Sequence, residues 1–451
     1  MTSEVVVMNS LGIALASDSA ATVYIGGRAK LYQADKLFML SHRHPVGAMI
    51  YNNSSLLGVP WETILKMYRH KLEARSFPTL KEYGDNLIAY LNNADRLFPA
   101  ELQKQYYLRL LETIFRGIRK GIERSRDKEV RSGRKNGPDL VREIAASVIQ
   151  KSLVEWRAKK DVTCFDPRVG SDLAGQLSGE VVVVRNTVFK DVKIEHAEAS
   201  ALQELAALVV SKDDIPHELL SGLVIAGFGE DEHLPVMQSF ELGEIFLGKL
   251  KYRELPLQRI DSAQTSVVQP FAQSDMVNAF LNGISPVFEI KLMDELATLI
   301  MGLPEAVIDE VPRLSKATRK ALKAKVLPQS VQVVRSLIAE LEQHRVERHL
   351  DPILQSIAFL PKNELAHVAA SLVNLNSFQK RMSIREDETV GGPIDVAVIS
   401  KGDGFVWIER KHYFRPELNR HFFKNYGVQP ETKEPAHDAS VPAKPNGKDE
   451  A

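Results

Sequence analysis

The chain has 451 residues, 44% of them hydrophobic and 26% charged, the composition of an ordinary globular protein. Its 58 Lys and Arg balance 58 Asp and Glu, so no net field draws it to nucleic acid or to an anionic membrane. With Cys164 as its one cysteine it can form neither an intramolecular disulfide nor a cysteine-rich metal centre, which fits a reducing compartment.

The N-terminus lacks a cationic leader segment, and Glu4 and Asn9 interrupt its apolar run. Nothing in the chain approaches the roughly 18 apolar residues of a membrane span. The expectation is a soluble, cytoplasmic protein with no membrane or nucleic-acid partner.

Taken in chain order, Val5 to Met8 and Ile13 to Ala16 are short β-branched runs separated by "NSLG", a hairpin signal. "KLFMLS" from Lys36 and "PVGAMIY" from Pro45 read as a second strand pair joined through "HRHP". From Ser54 apolar residues recur three and four apart, which predicts a helix, and mostly helical text follows. "GEVVVVRNTVFKDVKI" reads as returning strand, "ASALQELAALVV" as helix, and "SGLVIAGFGEDEHLPVMQSFELGEI" as two strands. A second helical stretch fills residues 274–380. "IDVAVISKGDGFVWIERK" reads as a last hairpin, turning at "KGDG". Residues 428–451, rich in Pro, Lys and Glu, read as a disordered tail.

Strands at both ends and in the middle, separated by long helical stretches, predict one α+β domain with insertions. The core would comprise residues 1–75, 180–273 and 381–427, with helical insertions at 76–179 and 274–380. Amphipathic helices of that length must bury an apolar face somewhere. The first insertion leaves from the helix after the Lys36 strand pair and the second returns just before Asp387, so both are expected to lie together over one side of the sandwich and partly cover a cleft at Thr2.

The opening hairpin is also a chemical device. A turn centred near Ser10 places Thr2 opposite Asp18, to within one residue of register. Removal of Met1 ahead of so small a residue would free an α-amine titrating at about 7.7–8.0. Such an amine can act as general base for the hydroxyl on its own residue. Lys36 is the natural cation to stabilise the alkoxide, with Asp18 as its counter-ion. On spacing alone the bland alternative is equally open: Thr2 as a frayed end and Asp18 as the end of a strand.

"GIALASDSAAT", "KLFMLS" and "VGAMIYNNSS" together resemble the opening of proteasome β-subunits and their bacterial relatives, the N-terminal nucleophile hydrolases. Thr2, Asp18 and Lys36 fall on the family's threonine, its "AADSRAT" aspartate and its strand-opening lysine. "LVIAGFGEDEHLPVMQSFELG" is similar to the strand pair carrying the family's "AGYD". "REDETVGGPIDVAVISKGDGFVWI" is similar to its "RDAYSGGxVxxYxVxxDGW" end and puts Asp387 on the second active-site aspartate.

The resemblance covers the strand-rich parts only. It implies a four-layer αββα sandwich with two large helical insertions, and threonine-type hydrolysis of amide, chiefly peptide, bonds without a cofactor or metal. It also implies a homo-oligomer, a peptide or protein substrate, and room for an ATPase or regulatory partner. The backbone N–H near Tyr51 would serve the oxyanion in place of the family's glycine. The family's arginine is Ala20 here, a serine position falls on Val390, and the nearest match to another serine is Ser274. These departures keep two alternatives in view: a proteasome-fold scaffold or regulatory protein without turnover, and a non-peptidase amidase.

Three further signals are weaker. His42 and His44 in "HRH" read as a solvated turn rather than a metal site. "GFGEDE" lacks nucleotide-loop spacing. The basic run from Arg116 to Lys135 is interleaved with acids, as a solvated helix face is.

Overall fold

The computed structural model describes residues 3–25, 28–217, 219–382, 391–412, 414–419 and 421. Its first strands are β1 (Ser3–Asn9) and β2 (Gly12–Asp18), joined by the two residues Ser10 and Leu11. Asn9 shapes the turn. Its Oδ1 accepts from Leu11 N at 2.9 Å, while its Nδ2 donates to the carbonyls of Ile357 (2.9 Å) and Leu360 (2.8 Å). The register pairs Asn9 with Gly12 and Glu4 with Ser17. A two-residue turn thus brings Asp18 level with Ser3, one position from the alignment with Thr2 that a turn centred on Ser10 predicts.

The chain continues through β3 (Ala20–Ile25), β4 (Arg28–Gln33), β5 (Leu37–Met39), β6 (Val46–Asn52) and a small hairpin of β7 (Ser55–Leu56) and β8 (Val59–Pro60). Helix α1 (Trp61–Leu72) follows, then α2 (Leu80–Asn92), whose first turn is capped by Thr79 accepting from Glu82 N. Next come α3 (Ala100–Arg131), α4 (Pro138–Ala158), α5 (Arg168–Gln176), α6 (Ser178–Val188) and α7 (His196–Ser211). Strands return as β9 (Ser221–Gly227), β10 (Val236–Phe246), β11 (Lys249–Glu254), β12 (Gln258–Arg259) and β13 (Ser266–Ala272). The second helical stretch holds α8 (Asp275–Asn282), α9 (Pro286–Glu310), α10 (Lys316–Arg345), a π turn at Val346–Leu350, α11 (Asp351–Ala358) and α12 (Lys362–Met382). Strands β14 (Ile394–Ser400) and β15 (Gly404–Glu409) close the part ending at Arg410. The remaining unit, Lys411–Ala451, contributes one 3-10 turn at Pro416–Leu418 to the described residues.

Five strands form one antiparallel sheet in the order β13-β1-β2-β14-β15. The second sheet runs β11-β10-β9-β6-β5, with β12 also pairing β10. Alternate residues of β1 enter different cores. Val6 and Met8 join Leu15, Met49, Val224 and Ala397 in a cluster built from both sheets, whereas Val5 and Val7 pack with Leu365, Ala369 and Val373 of α12. A strand covered on both faces has no solvent side, which explains the unbroken "VVVM". On the second sheet, Trp61, Tyr68, Tyr83 and Leu87 of α1 and α2 pack against Ile50, Ile225 and Phe240.

Two expectations fail here. "GEVVVVRNTVFKDVKI" is α6 and its C-terminal connection, not a strand. Val181 and Val188, seven residues apart, are buried against the cluster of α3, α4, α5 and α7. Helix propensity separates valine from better helix formers by well under 1 kcal/mol per residue, so packing decides. The two helical stretches also do not lie together over one side. Helices α3 to α7 share one cluster, which meets the second sheet at Phe246 of β10. Helices α8, α11 and α12 cover the first sheet, where Val277, Ile357 and Leu372 meet Val396 and Val398. Helices α3 to α7 thus bury their apolar faces chiefly on one another, and α8, α11 and α12 bury theirs on the first sheet.

Candidate active site

Lys36 stands immediately before β5, its backbone held where Ile50 N donates to its carbonyl at 2.9 Å. Its side chain turns inward, and its Nζ lies 2.5 Å from Asp18 Oδ1 and 3.3 Å from Glu4 Oε1. The three residues are 5%, 1% and 0% exposed, so two carboxylates and one ammonium occupy a nearly water-free pocket of the fold. Burying charge at that level is costly unless each group is paired. Asp18 meets the condition through two backbone donors besides Lys36. Ser3 N–H donates to its Oδ1 at 3.1 Å and Gly391 N–H to its Oδ2 at 2.9 Å.

The first hairpin and the segment leading into β14 thereby converge on one carboxylate. Gly391 (φ 153°) and Gly392 (φ 79°) form the bend that delivers this N–H, and Gly392 requires a backbone that residues with a Cβ rarely adopt. A Cβ on Gly392 would lie 3.4 Å from that of Ser19. Ser19 Oγ in turn donates to the Pro393 carbonyl, tying the same bend to the end of β2.

Ser3 points the other way, toward the helices. Its hydroxyl accepts from Asn376 Nδ2 at 2.8 Å, and the same amide donates to the Gln273 carbonyl at 2.8 Å. Buried Asn376 of α12 thus clamps the start of β1 to the end of β13, next to Ser274 at the N-cap of α8.

Tyr51 lies on β6 with its ring in the core between the sheets, 5.1 Å from the Phe271 ring. The ring covers Gly222, where a Cβ would fall 2.0 Å from it. Burial pushes the Tyr51 phenol well above its ordinary pKa, and the carboxylates of Glu241 and Glu4 push it further. The side chain therefore sits within electrostatic reach of the charged pocket. Its backbone pairs with Gly222 of β9.

Of the residues that the sequence nominates, the structure brings Asp18 and Lys36 into contact and places Tyr51 near them. Thr2, Asp387 and Val390 lie outside the described residues. Glu4 and Gly391 are the site members that sequence reasoning missed. Their signals were present: one acid in a strand of valines, on the face of Val6 and Met8, and a Gly-Gly pair ahead of a strand.

The weaker signals have structural uses. Glu232 Oε2 accepts from Gly229 N (2.7 Å) and Leu80 N (2.9 Å), so the "GFGEDE" turn docks on the start of α2. His44 Nε2 lies 3.1 Å from the Ala74 carbonyl. In the basic run, Arg119 pairs with Glu123 and Arg126 with Asp127 on the surface of α3.

No family model matches the chain, and no curated protein matches it. Among solved structures it is similar to the Anbu complex from Pseudomonas aeruginosa, described as a helical assembly. That likeness has a TM-score of 0.31 and 9% identity, over 96% of this chain and 100% of the other. A Gly-1 mutant of Anbu from Hyphomicrobium sp. strain MC1 gives 0.24 and 8%, over 94% and 95%. Anbu (ancestral beta-subunit) from Yersinia bercovieri gives 0.24 and 11%, over 96% and 100%. At such scores the three assign neither a site nor an activity to this chain.

Proposed function

We propose that the protein is a proteasome-like N-terminal threonine hydrolase with an αββα core, cleaving amide, chiefly peptide, bonds through an acyl-ester on Thr2. The observation that carries the reading is the buried Lys36–Asp18 pair, held by the N–H of Ser3, the residue that follows Thr2 in sequence. A desolvated cation beside a terminal hydroxyl is what such a nucleophile needs.

In this reading Met1 is removed. The α-amine of Thr2 takes the hydroxyl proton as Oγ attacks the carbonyl carbon. A backbone N–H near Tyr51 receives the oxyanion, the C–N bond breaks, and the proton passes from the amine to the leaving nitrogen. Water activated by the same amine then hydrolyses the ester. Asp387 orients the terminus, Lys36 stabilises the alkoxide, and Asp18 and Glu4 hold Lys36. The substrate is a peptide or protein, or a smaller amide if the chain is a non-peptidase amidase.

A second reading, a proteasome-fold scaffold without turnover, is favoured by Glu4. A second buried carboxylate beside Lys36 adds negative potential, which favours the protonated amine over the free base. The test is an intact mass before and after treatment with a peptide epoxyketone, on the native chain and on Thr2→Ala. The hydrolase reading expects a chain that begins at Thr2 and takes up one adduct, lost in Thr2→Ala. A chain that keeps Met1 rules it out, because an amide nitrogen cannot act as base.

A further inference from the structure

Helices α9 and α10 form an antiparallel hairpin. Asp309 near the end of α9 accepts from Lys323 at 2.7 Å, and Arg345 at the end of α10 lies 3.9 Å from Glu289 at the start of α9. Yet α9 contributes no buried residue, and α10 contributes only Ser330. Met293, Leu296 and Ile300 of α9 are half-buried, whereas Phe288, Leu299, Leu303 and Val307 are 56–67% exposed. Phe288 and Leu292, then Leu299, Leu303 and Val307, lie four apart along one side of the helix, with Glu295 between the two groups. A helix apolar beyond the face it packs on its neighbour belongs inside something. Contiguous exposed apolar surface on this scale marks an interaction site.

Charge identifies what covers it. Helix α9 carries six acidic residues and one lysine. Helix α10 carries seven Lys and Arg against two Glu, and five of those cations lie within 316–325, where there is no acid. Contacts within the hairpin draw mainly on Asp309 and Glu289, while Glu310, three residues beyond Val307 on the stripe side of α9, and Lys316 and Lys320, four apart on one side of α10, stay exposed. A two-fold axis running along the hairpin would set α9 of each copy against α10 of the other. The acidic helix of each copy then meets the basic helix of the other, twice over. An anionic membrane or a nucleic acid would meet the acids of α9 over the same stripe and be repelled.

We propose that the α9–α10 hairpin is a self-association arm that binds the same hairpin of a second copy of this chain. The inference does not depend on the hydrolase reading.

The test mixes copies of the full chain grown in light and heavy nitrogen, at micromolar concentration, and applies a zero-length carboxylate-to-lysine cross-linker. Cross-links joining an α9 carboxylate of one label to an α10 lysine of the other are expected, fewer as salt is raised. Sedimentation should show Leu299→Glu with Leu303→Glu at half the parent mass, with the mixed-label links gone. Lys320→Glu, which touches no apolar contact, should weaken association about tenfold. Three results overturn the proposal: only same-label links, an unchanged mass in the leucine variant, or partition of the arm onto phosphatidylserine vesicles with no self-association.

Discussion

Gly391 N–H donates to Asp18 Oδ2 across 2.9 Å, although 373 positions separate the two residues. The last strand pair of the chain therefore fixes the orientation of a carboxylate delivered by the first. Gly392→Val tests this link. A β-branched residue at a φ of 79° costs on the order of 1–3 kcal/mol. Urea unfolding should show that loss, and epoxyketone labelling of Thr2 should slow with it. Unchanged labelling would mean that the bend has no part in the site.

Lys36→Ala leaves Asp18 and Glu4 as two buried carboxylates without their shared cation. Breaking a buried pair from one side costs about 3–5 kcal/mol. Stability measured at pH 7 should fall by that order and recover in part at pH 5, where a carboxylate can take up a proton. Labelling should vanish at both values. A folded Lys36→Ala protein that still labels at the native rate excludes the lysine from activation.

Glu4→Gln keeps the Asp18 pair and removes one carboxylate from beside Lys36. In the hydrolase reading the Thr2 amine then loses its proton more readily. The pH dependence of labelling should move to lower pH while the rate at high pH stays the same. A profile that does not move would show that Glu4 serves the packing of β1 alone.

Glu244 of β10 is a buried acid outside the site. Its Oε2 has no hydrogen-bond partner among the described residues, and burial pushes its pKa up to about 7, against a weaker pull from Arg109. Because its folded pKa lies above the unfolded value of 4.5, its stabilising contribution is complete below pH 4.5 and is lost as pH rises to about 7. Glu244→Gln should therefore be close to neutral at pH 4.5 and stabilise the protein at pH 8 by up to about 3 kcal/mol. The difference between thermal melts at the two pH values checks the sign. A variant less stable at pH 8 than the native protein would contradict it.

Much of the core was legible locally. The β1–β2 hairpin, the pairing of "KLFM" with "VGAMIY" and the closing β14–β15 hairpin are near-neighbour structures, each written as apolar runs flanking a turn. Asp18 and Lys36 were readable for the same reason, since each stands at the end of such a run.

Other features depended on distant partners. The valine-rich α6 is helical because the cluster around α3 and α7 gives Val181 and Val188 a place to be buried, and no local signal encodes that cluster. Spacing leaves the hairpin register open by one residue, and Asn9 sets it by bonding both its own turn and the end of α11. Glu4 reads locally as an interruption of an apolar strand. It becomes a site residue only when the second sheet brings the Lys36 ammonium to 3.3 Å from it. The sequence by itself determined the three near-neighbour hairpins and the charged residues at the ends of their runs. Tertiary structure decided which charges share one desolvated space, because such contacts join residues far apart in the chain whose meeting depends on how both sheets pack.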